Sequence, residues 1–383
     1  MSTPLLNVAD YRRLAKKTLP RTIFDYLDGG ADDEKGLHHN RAIFDRWRFT
    51  PHRLVDISQR DISRRLFERR WDAPFAIAPT GFNGALWPDG DLILAKAAAR
   101  ANVPFLLSTA ANLSIEALAR GADGEKWFQL YVVQQTLAEQ LVKRALGAGY
   151  TTLIVTVDVS VNGNRERDLR NRFTLPVRYT PSLLLSGITH PQWSLRFLRS
   201  GMPELANFKT SENHALEAQA AVMNRQMDAS FNPESLRRIR DIWPHRLLVK
   251  GIIRPEDAAI CTECGADGVI LSNHGGRQLD YALAPIETLA GTVERITQPV
   301  LIDSGFRRGS DIVKALCLGA KMVLLGRATL YGLAARGAQG VDEVIGLLKA
   351  DIDCTLAQIG CPSVEALSPD YIQRTDSSDG SPL

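Results

Sequence analysis

From residue 74 onward, short apolar runs alternate with longer stretches of helical periodicity, and this alternation limits the possible folds more than any other feature. The apolar runs are 74–80, 103–108, 126–132, 152–158, 246–250, 268–273, 299–304 and 322–326. Runs of this kind are typical of strands buried on both faces of a parallel sheet. Helical patterns separate most of them, at 90–101, 114–120, 136–147, 234–241, 255–264, 286–295 and 309–318. Eight such repeats predict a (β/α)8 TIM barrel.

The main alternative is a doubly wound sheet that binds a dinucleotide. That fold requires a Gly-x-Gly-x-x-Gly turn after its first strand, and no such turn occurs in the chain. The length of 383 residues would suit either two average domains or one barrel with additions. The missing turn favours the barrel.

Three segments lie outside the repeat. Residues 1–73 are expected to form a helical and loop cap, with Asn7 or Asp10 beginning one helix and the turn at Asp28-Gly29-Gly30 ending another. The connection 159–245 is far longer than an ordinary βα loop, which is typical of a functional or disordered segment. We predict a single domain with its barrel at 74–370, an insertion at about 177–215 and a flexible, polar tail at 370–383.

Charge and cysteine content exclude several classes of protein. The formal net charge of +3 is too small to indicate nucleic-acid binding. The N-terminus lacks the features of a signal peptide, and the five cysteines suit a reducing, cytoplasmic compartment. Cys261 and Cys264 form a CxxC pair without a second pair of ligands, so we expect buried, inert thiols and no metal site.

Polar residues follow all eight predicted strands, where TIM barrels carry their chemistry. After the last two strands, Gly305 and Gly309 are expected to offer backbone amides to an anion, with Arg307 and Arg327 adding charge. This pattern predicts a phosphorylated cofactor. No His-x-His motif or carboxylate cluster falls on the strand ends, which argues against a metal-dependent hydrolase.

The sixth strand is followed by His274, the best candidate for a general base. Asp158, after the fourth strand, could orient its ring and stabilise the imidazolium. Arg277 and Arg165 offer two guanidinium forks to a substrate carboxylate. Lys250, at the end of the fifth strand, requires an anionic neighbour.

The run Ser272-Asn273-His274-Gly275-Gly276-Arg277-Gln278-Leu279-Asp280 resembles the signature of the FMN-dependent 2-hydroxy acid dehydrogenase and oxidase family. The resemblance covers about residues 5–370. It includes the turn at 24–31, Gln129-Leu130-Tyr131, Thr156-Val157-Asp158 and Asp303-Ser304-Gly305. Stretches at 79–88, 162–168 and 305–311, together with the run 325–362, are most similar to family members that oxidise (S)-mandelate.

The resemblance implies a role for each matching residue. Those implied to hold FMN are Pro79, Thr80, Gly81, Ser108, Gln129, Thr156, Lys250, Ser272, Asp303, Gly305, Arg307, Gly326 and Arg327. Those implied to bind the hydroxy acid are Tyr26, Gly81, Tyr131, Arg165, His274 and Arg277. The implied catalytic set is His274 as base, Asp158 as its partner, Tyr131, Arg277, Arg165 and Lys250, which would stabilise charge on the flavin.

Small residues at Gly81 and Ala110 are expected to leave room for a phenyl ring, whereas Phe82 could narrow the pocket. The expected reaction is oxidation of an (S)-2-hydroxy acid, most simply mandelate, to its 2-keto acid. An L-lactate dehydrogenase, an oxidase that uses O2 and a non-catalytic barrel that binds a phosphorylated ligand remain open as alternatives. The sequence leaves open whether His274 takes the proton from carbon or from oxygen.

The insertion is basic and apolar. Between 177 and 203 it carries Arg178, Arg196 and Arg199, the run Leu183-Leu184-Leu185 and Trp193, with no acidic residue. This composition indicates a segment that lies in a membrane interface, with an active-site lid or a subunit contact as the alternative. The resemblance implies electron transfer to a membrane quinone and a homotetramer. We expect the protein at the cytoplasmic side of the inner membrane, bound peripherally, or in the cytoplasm.

Overall fold

The computed structural model describes residues 4–173, 187–201, 203–208 and 227–375, beginning with the N-terminal cap. Helix α1 (Val8–Thr18) begins after Asn7, whose side chain accepts a hydrogen bond from the amide of Asp10, as an N-cap asparagine does. Helix α2 (Arg21–Asp28) ends at Gly29, as predicted. Helix α3 (Lys35–Ala42) and a short 3-10 turn lead to strand β1 (Trp47–Phe49).

A two-stranded hairpin fills the N-terminal end of the barrel. Its strands are β2 (Arg64–Leu66) and β3 (Arg69–Trp71), and they pair antiparallel. Leu66 and Trp71 pack among the inward side chains of the barrel, and the Trp71 and Trp127 rings meet edge to face at 6.5 Å. The expectation of a cap made only of helices and loops is therefore wrong. Arginines dominate this segment and hide the alternation that marks a strand.

Eight parallel strands close into the predicted barrel. They are β4 (Phe75–Ile77), β5 (Phe105–Ser108), β6 (Lys126–Tyr131), β7 (Thr152–Thr156), β8 (Arg246–Ile252), β9 (Gly268–Leu271), β10 (Val300–Ile302) and β11 (Met322–Leu325). Strand β4 pairs with both β5 and β11, which closes the sheet. Each predicted apolar run coincides with one strand, with β8 extending two residues beyond its run, and the prediction of a (β/α)8 barrel is confirmed.

Helices surround the barrel and cover its outer face. In chain order they are α4 (Gly90–Arg100), α5 (Ile115–Gly121), α6 (Gln135–Gly147), α7 (Glu166–Arg170), α8 (Pro191–Ser200), α9 (Pro233–Ile242), α10 (Pro255–Glu263), α11 (Pro285–Arg295), α12 (Gly309–Cys317) and α13 (Arg327–Ile359). Helices α7 and α8 belong to the long connection after β7. Helix α13 is interrupted at Arg336 and Gly337, where the backbone is not helical.

The end of the described chain returns to the cap. Strand β12 (Ile372–Arg374) pairs antiparallel with β1, and Ile372 is buried. The expectation of a flexible tail beginning at residue 370 is therefore wrong for the strand, because backbone pairing and one buried side chain fix it. Residues 376–383 lie outside the described residues.

Helix α8 of the insertion is anchored on the barrel by one aromatic side chain. Trp193 is buried, and its Nε1 donates a hydrogen bond to the carbonyl of Ala85, 2.9 Å away. Leu195 and Leu198 on the same helix are exposed. Arg178 and the run 183–185, which contribute to the membrane prediction, lie outside the described residues. None of the helices in the described ranges is both long and apolar enough to cross a bilayer.

Candidate active site

A cavity of about 620 Å³ opens at the carboxyl ends of the barrel strands. This volume lies within the usual range for cofactor and substrate sites, and the position is where TIM barrels carry theirs. The predicted site residues that line it are Tyr26, Pro79, Thr80, Gly81, Ser108, Tyr131, Arg165, Lys250, His274, Arg277, Asp303, Gly305, Arg307, Gly326 and Arg327.

The four other predicted residues, Gln129, Thr156, Asp158 and Ser272, contact residues that line the cavity or one another. The Gln129 side chain accepts a hydrogen bond from the Ser108 hydroxyl at 3.0 Å and donates one to the Thr156 hydroxyl at 2.9 Å. The Ser272 hydroxyl accepts hydrogen bonds from Lys250 Nζ at 2.8 Å and from the amide of His274 at 3.0 Å. The structure thus brings the whole predicted set to one end of the barrel.

The anionic neighbour that Lys250 requires is Asp303. Their side chains are buried, with Lys250 Nζ 3.2 Å from Asp303 Oδ2. Burial by itself would lower the pKa of Lys250, but the carboxylates of Asp303 and Asp158 outweigh it and raise that pKa. Lys250 therefore carries its charge at the base of the cavity.

Gly251, directly after Lys250, makes room for Asp158. The strand register shifts between Lys250 and Ile252, and Gly251 has a positive φ of 104°. A Cβ atom at Gly251 would lie 2.6 Å from the Cβ of Asp158. A residue larger than glycine would therefore displace this carboxylate.

His274 lies between Asp158 and Tyr131. Its Nδ1 is 3.1 Å and 3.2 Å from the two carboxylate oxygens of Asp158, and its Nε2 is 3.3 Å from the Tyr131 hydroxyl. Burial would raise the pKa of Asp158, but His274 and Lys250 outweigh it and hold that pKa below its ordinary value. An ionised carboxylate only accepts hydrogen bonds, so Nδ1 carries the proton that faces it. In a neutral ring Nε2 is then the basic nitrogen.

Arg165 is suited to bind an anion. Its side chain lines the cavity, and its buried Nη1 has no hydrogen-bond partner among the described residues. Its Nε is held by the carbonyl of Arg277 at 3.3 Å. A buried donor without a partner is rare in folded proteins, and a carboxylate in the cavity would satisfy it.

Three arginines, Arg277, Arg307 and Arg327, concentrate positive charge along the cavity. None of them forms an ion pair within the described part of the chain. Burial, reinforced by Arg277, lowers the pKa of Arg327 to about 9, and burial also lowers the pKa of Arg307. Buried positive charge is unfavourable without a counterion. A bound phosphate group would supply that counterion, so the cluster fits a phosphorylated ligand.

One expectation about this anion site is wrong. The amide of Gly309 was predicted to be open, but it donates to Asp351 Oδ2 at 2.7 Å. The amides of Arg307 and Arg308 likewise donate to Asp311 Oδ2, at 2.9 Å and 3.0 Å. Side chains thus cap the start of α12, so the arginines and the glycines at 305 and 326 remain as the candidate phosphate ligands.

An aromatic cluster forms one wall of the cavity. Tyr26 lies 4.9 Å from Phe173 and 6.1 Å from Phe82, measured between ring centroids. A Cβ at Gly81 would lie only 2.9 Å from the Ala110 Cβ, so a residue larger than glycine would have to displace Ala110. Phe82 is part of this aromatic wall, and the expectation that it narrows the pocket stays a prediction.

Sequence reasoning missed Phe173, Asp168 and Met227 in the cavity lining. All three lie in the long connection after β7, which has no strand end to mark them. The only available signal for Phe173 and Asp168 is their closeness in sequence to Arg165.

The CxxC pair behaves as expected of structural thiols. Cys261 and Cys264 are buried, and burial raises the pKa of Cys261 to about 12. No cluster of three or more His, Cys, Asp or Glu residues suited to a metal ion occurs among the described residues.

The barrel, the basic cavity and the contact between His274 and Asp158 suit an enzyme that binds a phosphorylated cofactor and moves a proton. Comparison with known proteins identifies it as a flavin-dependent oxidoreductase. The chain belongs to the FMN-dependent dehydrogenase family, whose model matches residues 15–374. It is an FMN-dependent enzyme that oxidises the CH–OH group of a 2-hydroxy acid. The predictions of family, activity class and cofactor are thereby confirmed.

Individual relatives refine this assignment. The chain is 61% identical over 383 residues to an (S)-mandelate dehydrogenase of Pseudomonas putida, covering 100% of this chain and 98% of that protein. The crystal structure of a monotopic membrane protein, (S)-mandelate dehydrogenase, matches with a TM-score of 0.95 and 62% identity, covering 97% of this chain and 100% of that one. A peroxisomal (S)-2-hydroxyacid oxidase of Arabidopsis thaliana is 37% identical over 96% of both chains.

Proposed function

We propose that this enzyme oxidises (S)-mandelate to benzoylformate, with His274 as the base. The observation that carries the proposal is that His274 lines the same cavity as Arg165, whose buried Nη1 has no hydrogen-bond partner in the described ranges. A base and a carboxylate-binding group are the two elements that a 2-hydroxy acid requires. The aromatic wall of Tyr26, Phe82 and Phe173 supplies an apolar surface for a phenyl ring.

The residues of this chain have separate tasks in the reaction. Arg165 and Arg277 bind the substrate carboxylate and fix the orientation of C2. His274 Nε2 takes one proton from the substrate, while Asp158 holds the ring and stabilises the imidazolium. FMN, when bound, would supply the acceptor for the two electrons and for the second hydrogen that the substrate loses.

The remaining predicted residues would hold the cofactor. Lys250 places a positive charge at the base of the cavity, beside Asp303. Arg307 and Arg327, with Gly305 and Gly326, would bind the phosphate, and Pro79, Thr80, Gly81, Ser108, Gln129, Thr156 and Ser272 would surround the rest. The donor-rich, basic lining of the cavity fits an anionic flavin nucleotide.

Anaerobic flavin reduction tests the proposal directly. The purified holoenzyme is mixed with (S)-mandelate, L-lactate or glycolate, and bleaching of the flavin absorbance is followed. We expect (S)-mandelate to react fastest, and His274→Ala to retain FMN but lose its reduction by substrate. Faster bleaching by L-lactate or glycolate would contradict the substrate, and an unchanged rate in His274→Ala would contradict the base. Oxygen uptake during turnover would identify an oxidase.

We further propose that the enzyme binds peripherally to the cytoplasmic side of the inner membrane and passes electrons to a quinone. Helix α8 supports this, since Leu195 and Leu198 are 55% and 76% exposed on a helix that also carries Arg196 and Arg199. Exposed leucines beside arginines are typical of a helix in a lipid interface. The monotopic membrane relative supports the same arrangement.

A homotetramer is proposed from family resemblance, and sedimentation of the detergent-solubilised enzyme tests it.

A further inference from the structure

The backbone of His274 has an unusual conformation. Its φ is +57°, in the left-handed region that side chains other than glycine rarely adopt. Gly275 and Gly276 follow with positive φ values of 66° and 71°. A catalytic side chain on such a segment keeps its direction only if surrounding contacts fix the backbone.

The amide of His274 itself donates to the Ser272 hydroxyl, and a further contact comes from the N-terminal cap. On helix α3, Asn40 donates from Nδ2 to Asn273 Oδ1 at 2.9 Å, and Asn273 donates from Nδ2 to Asn40 Oδ1 at 2.8 Å. Both side chains are buried, with exposures of 2% and 6%. The two amides therefore form a reciprocal pair on the residue that directly precedes His274.

Asn273 transmits this contact to the other side of His274. Its Oδ1 also accepts a hydrogen bond from the amide of Gly276 at 3.1 Å, so one side chain spans the histidine. A second contact comes from Ser304, whose hydroxyl accepts from the amide of Gly275 at 3.0 Å and donates to Asp303 Oδ1 at 2.8 Å. Asn40 does not line the cavity, so any effect that it has on the reaction acts through Asn273.

Helix α3 is also held against the loop after β10. The Arg41 guanidinium donates to the carbonyl of Gly305 and, at 2.7 Å, to Asp311 Oδ2. A side chain at Gly305 would collide with the backbone carbonyl of Asn40. Because α3 is fixed in this way, Asn40 acts as a rigid support.

We propose that Asn40 is a positioning residue for the reaction, which fixes the backbone of His274 through its amide pair with Asn273. The proposal rests on the proposed role of His274 as the base. In Asn40→Ala, Asn273 keeps its hydrogen bonds with Gly276 and with the carbonyl of Leu283, so the loop loosens without losing all support. Asn40→Asp preserves the volume of the side chain, but an ionised aspartate cannot donate to Asn273 Oδ1. This variant replaces Asn40→Ala in the test if the alanine variant fails to fold.

The test combines rapid kinetics with hydrogen exchange on the holoenzyme. We expect Asn40→Ala to slow flavin reduction at saturating (S)-mandelate by about tenfold or more, since a small misplacement of a reacting group can cost about a hundredfold. The KM should change less, because Arg165 is held by other contacts. Amide exchange in peptides covering 272–277 should become faster.

Two variants serve as controls. His38→Ala removes an exposed side chain from the same helix and should leave both measurements unchanged. Leu141→Ala removes a buried side chain from α6 and should lower the melting temperature without slowing reduction.

The outcomes separate the positioning role of Asn40 from the proposed function. The proposal is overturned if the rate of flavin reduction is unchanged in both Asn40→Ala and Asn40→Asp. It is also overturned if Leu141→Ala slows reduction as much as Asn40→Ala does when the two variants have the same melting temperature. If His274→Ala is reduced normally, the proposed function itself fails. If His274→Ala is inactive and the Asn40 variants react normally, only the positioning role fails.

Discussion

The Nδ1 atom of His274 lies 3.1 Å from Oδ1 of Asp158, although 116 positions separate the two residues in sequence. Both side chains are largely shielded from solvent, with exposures of 19% and 12%. The contact fixes which nitrogen carries the proton and leaves Nε2 available as a base. It also supplies the negative charge that an imidazolium requires during the reaction.

Replacing Asp158 with Asn should remove that charge while preserving the volume. We expect flavin reduction to slow by about a hundredfold or more, in line with the usual contribution of general acid–base catalysis. Stopped-flow reduction under anaerobic conditions measures the change, and the flavin spectrum shows whether FMN is retained. A variant that keeps FMN and reacts at the normal rate would contradict the role of Asp158.

Arg165→Lys should weaken substrate binding. The lysine keeps the charge but cannot form the planar two-point contact of a guanidinium. Hydrogen bonds to charged groups contribute about 1.5–3 kcal/mol, so we expect a KM increase of roughly tenfold to a hundredfold. Steady-state kinetics measure it. Arg170→Met is the matched control and should have a normal KM. Arg170 is exposed on α7, which begins directly after Arg165, and its ion pair in the described part of the chain is with Glu166.

The buried carboxylate of Asp91 should make stability depend on pH. It accepts hydrogen bonds from Asn83 Nδ2 at 2.7 Å and from the amide of Asn112 at 2.8 Å, and burial raises its pKa to about 6. The pKa of Asp91 is higher in the folded state than in the unfolded state. The protonated carboxyl therefore favours folding at pH values below the unfolded pKa. That contribution is lost as the pH rises towards the folded pKa.

The size of this effect follows from the difference between the two pKa values. A shift of about two units corresponds to roughly 3 kcal/mol. We expect the unfolding free energy of the wild type, relative to that of Asp91→Asn, to fall by about this amount between roughly pH 4 and pH 7. Urea denaturation over that range measures the difference. A difference that does not vary with pH would show that Asp91 has the same pKa in the folded and unfolded states.

Charging the exposed face of α8 should release the enzyme from membranes. In Leu195→Glu combined with Leu198→Glu, two exposed leucines become anionic, while the Trp193 anchor to Ala85 remains. We expect the variant in the soluble fraction, with reduction by substrate preserved. Ile260→Glu, at an exposed position on α10, is the control and should stay with the membrane. If the double variant also stays there, α8 is not the attachment site.

Much of the barrel could be predicted from the sequence because its strands are short, apolar and regularly spaced. The polar residues at their ends, such as Lys250 and His274, were predictable for the same reason, since parallel strands bring their carboxyl ends together. Contacts made by the N-terminal cap could not be predicted. Asn40 meets Asn273 across 233 positions, and nothing in the local pattern around Asn40 indicates a partner in the barrel.

Strand β12 and the bulge at Gly251 show the same limit in different ways. The residues of β12 are mostly polar, and the strand exists because β1 offers it a backbone edge. The bulge places Gly251 of β8 against Asp158, which follows β7, and this contact joins two separate parts of the chain. A single sequence indicates local conformational preference and burial. The strand β12 and the bulge at Gly251 depend instead on partners that are distant in sequence.

The hairpin that fills the base of the barrel has a kinetic consequence. With Leu66 and Trp71 packed into that end, the cavity found in the described part of the chain opens at the other end. We expect substrate, keto acid and electron acceptor to share this entrance, with the product departing before the acceptor arrives. Double-reciprocal plots at several fixed acceptor concentrations should give parallel lines, the pattern of a ping-pong mechanism.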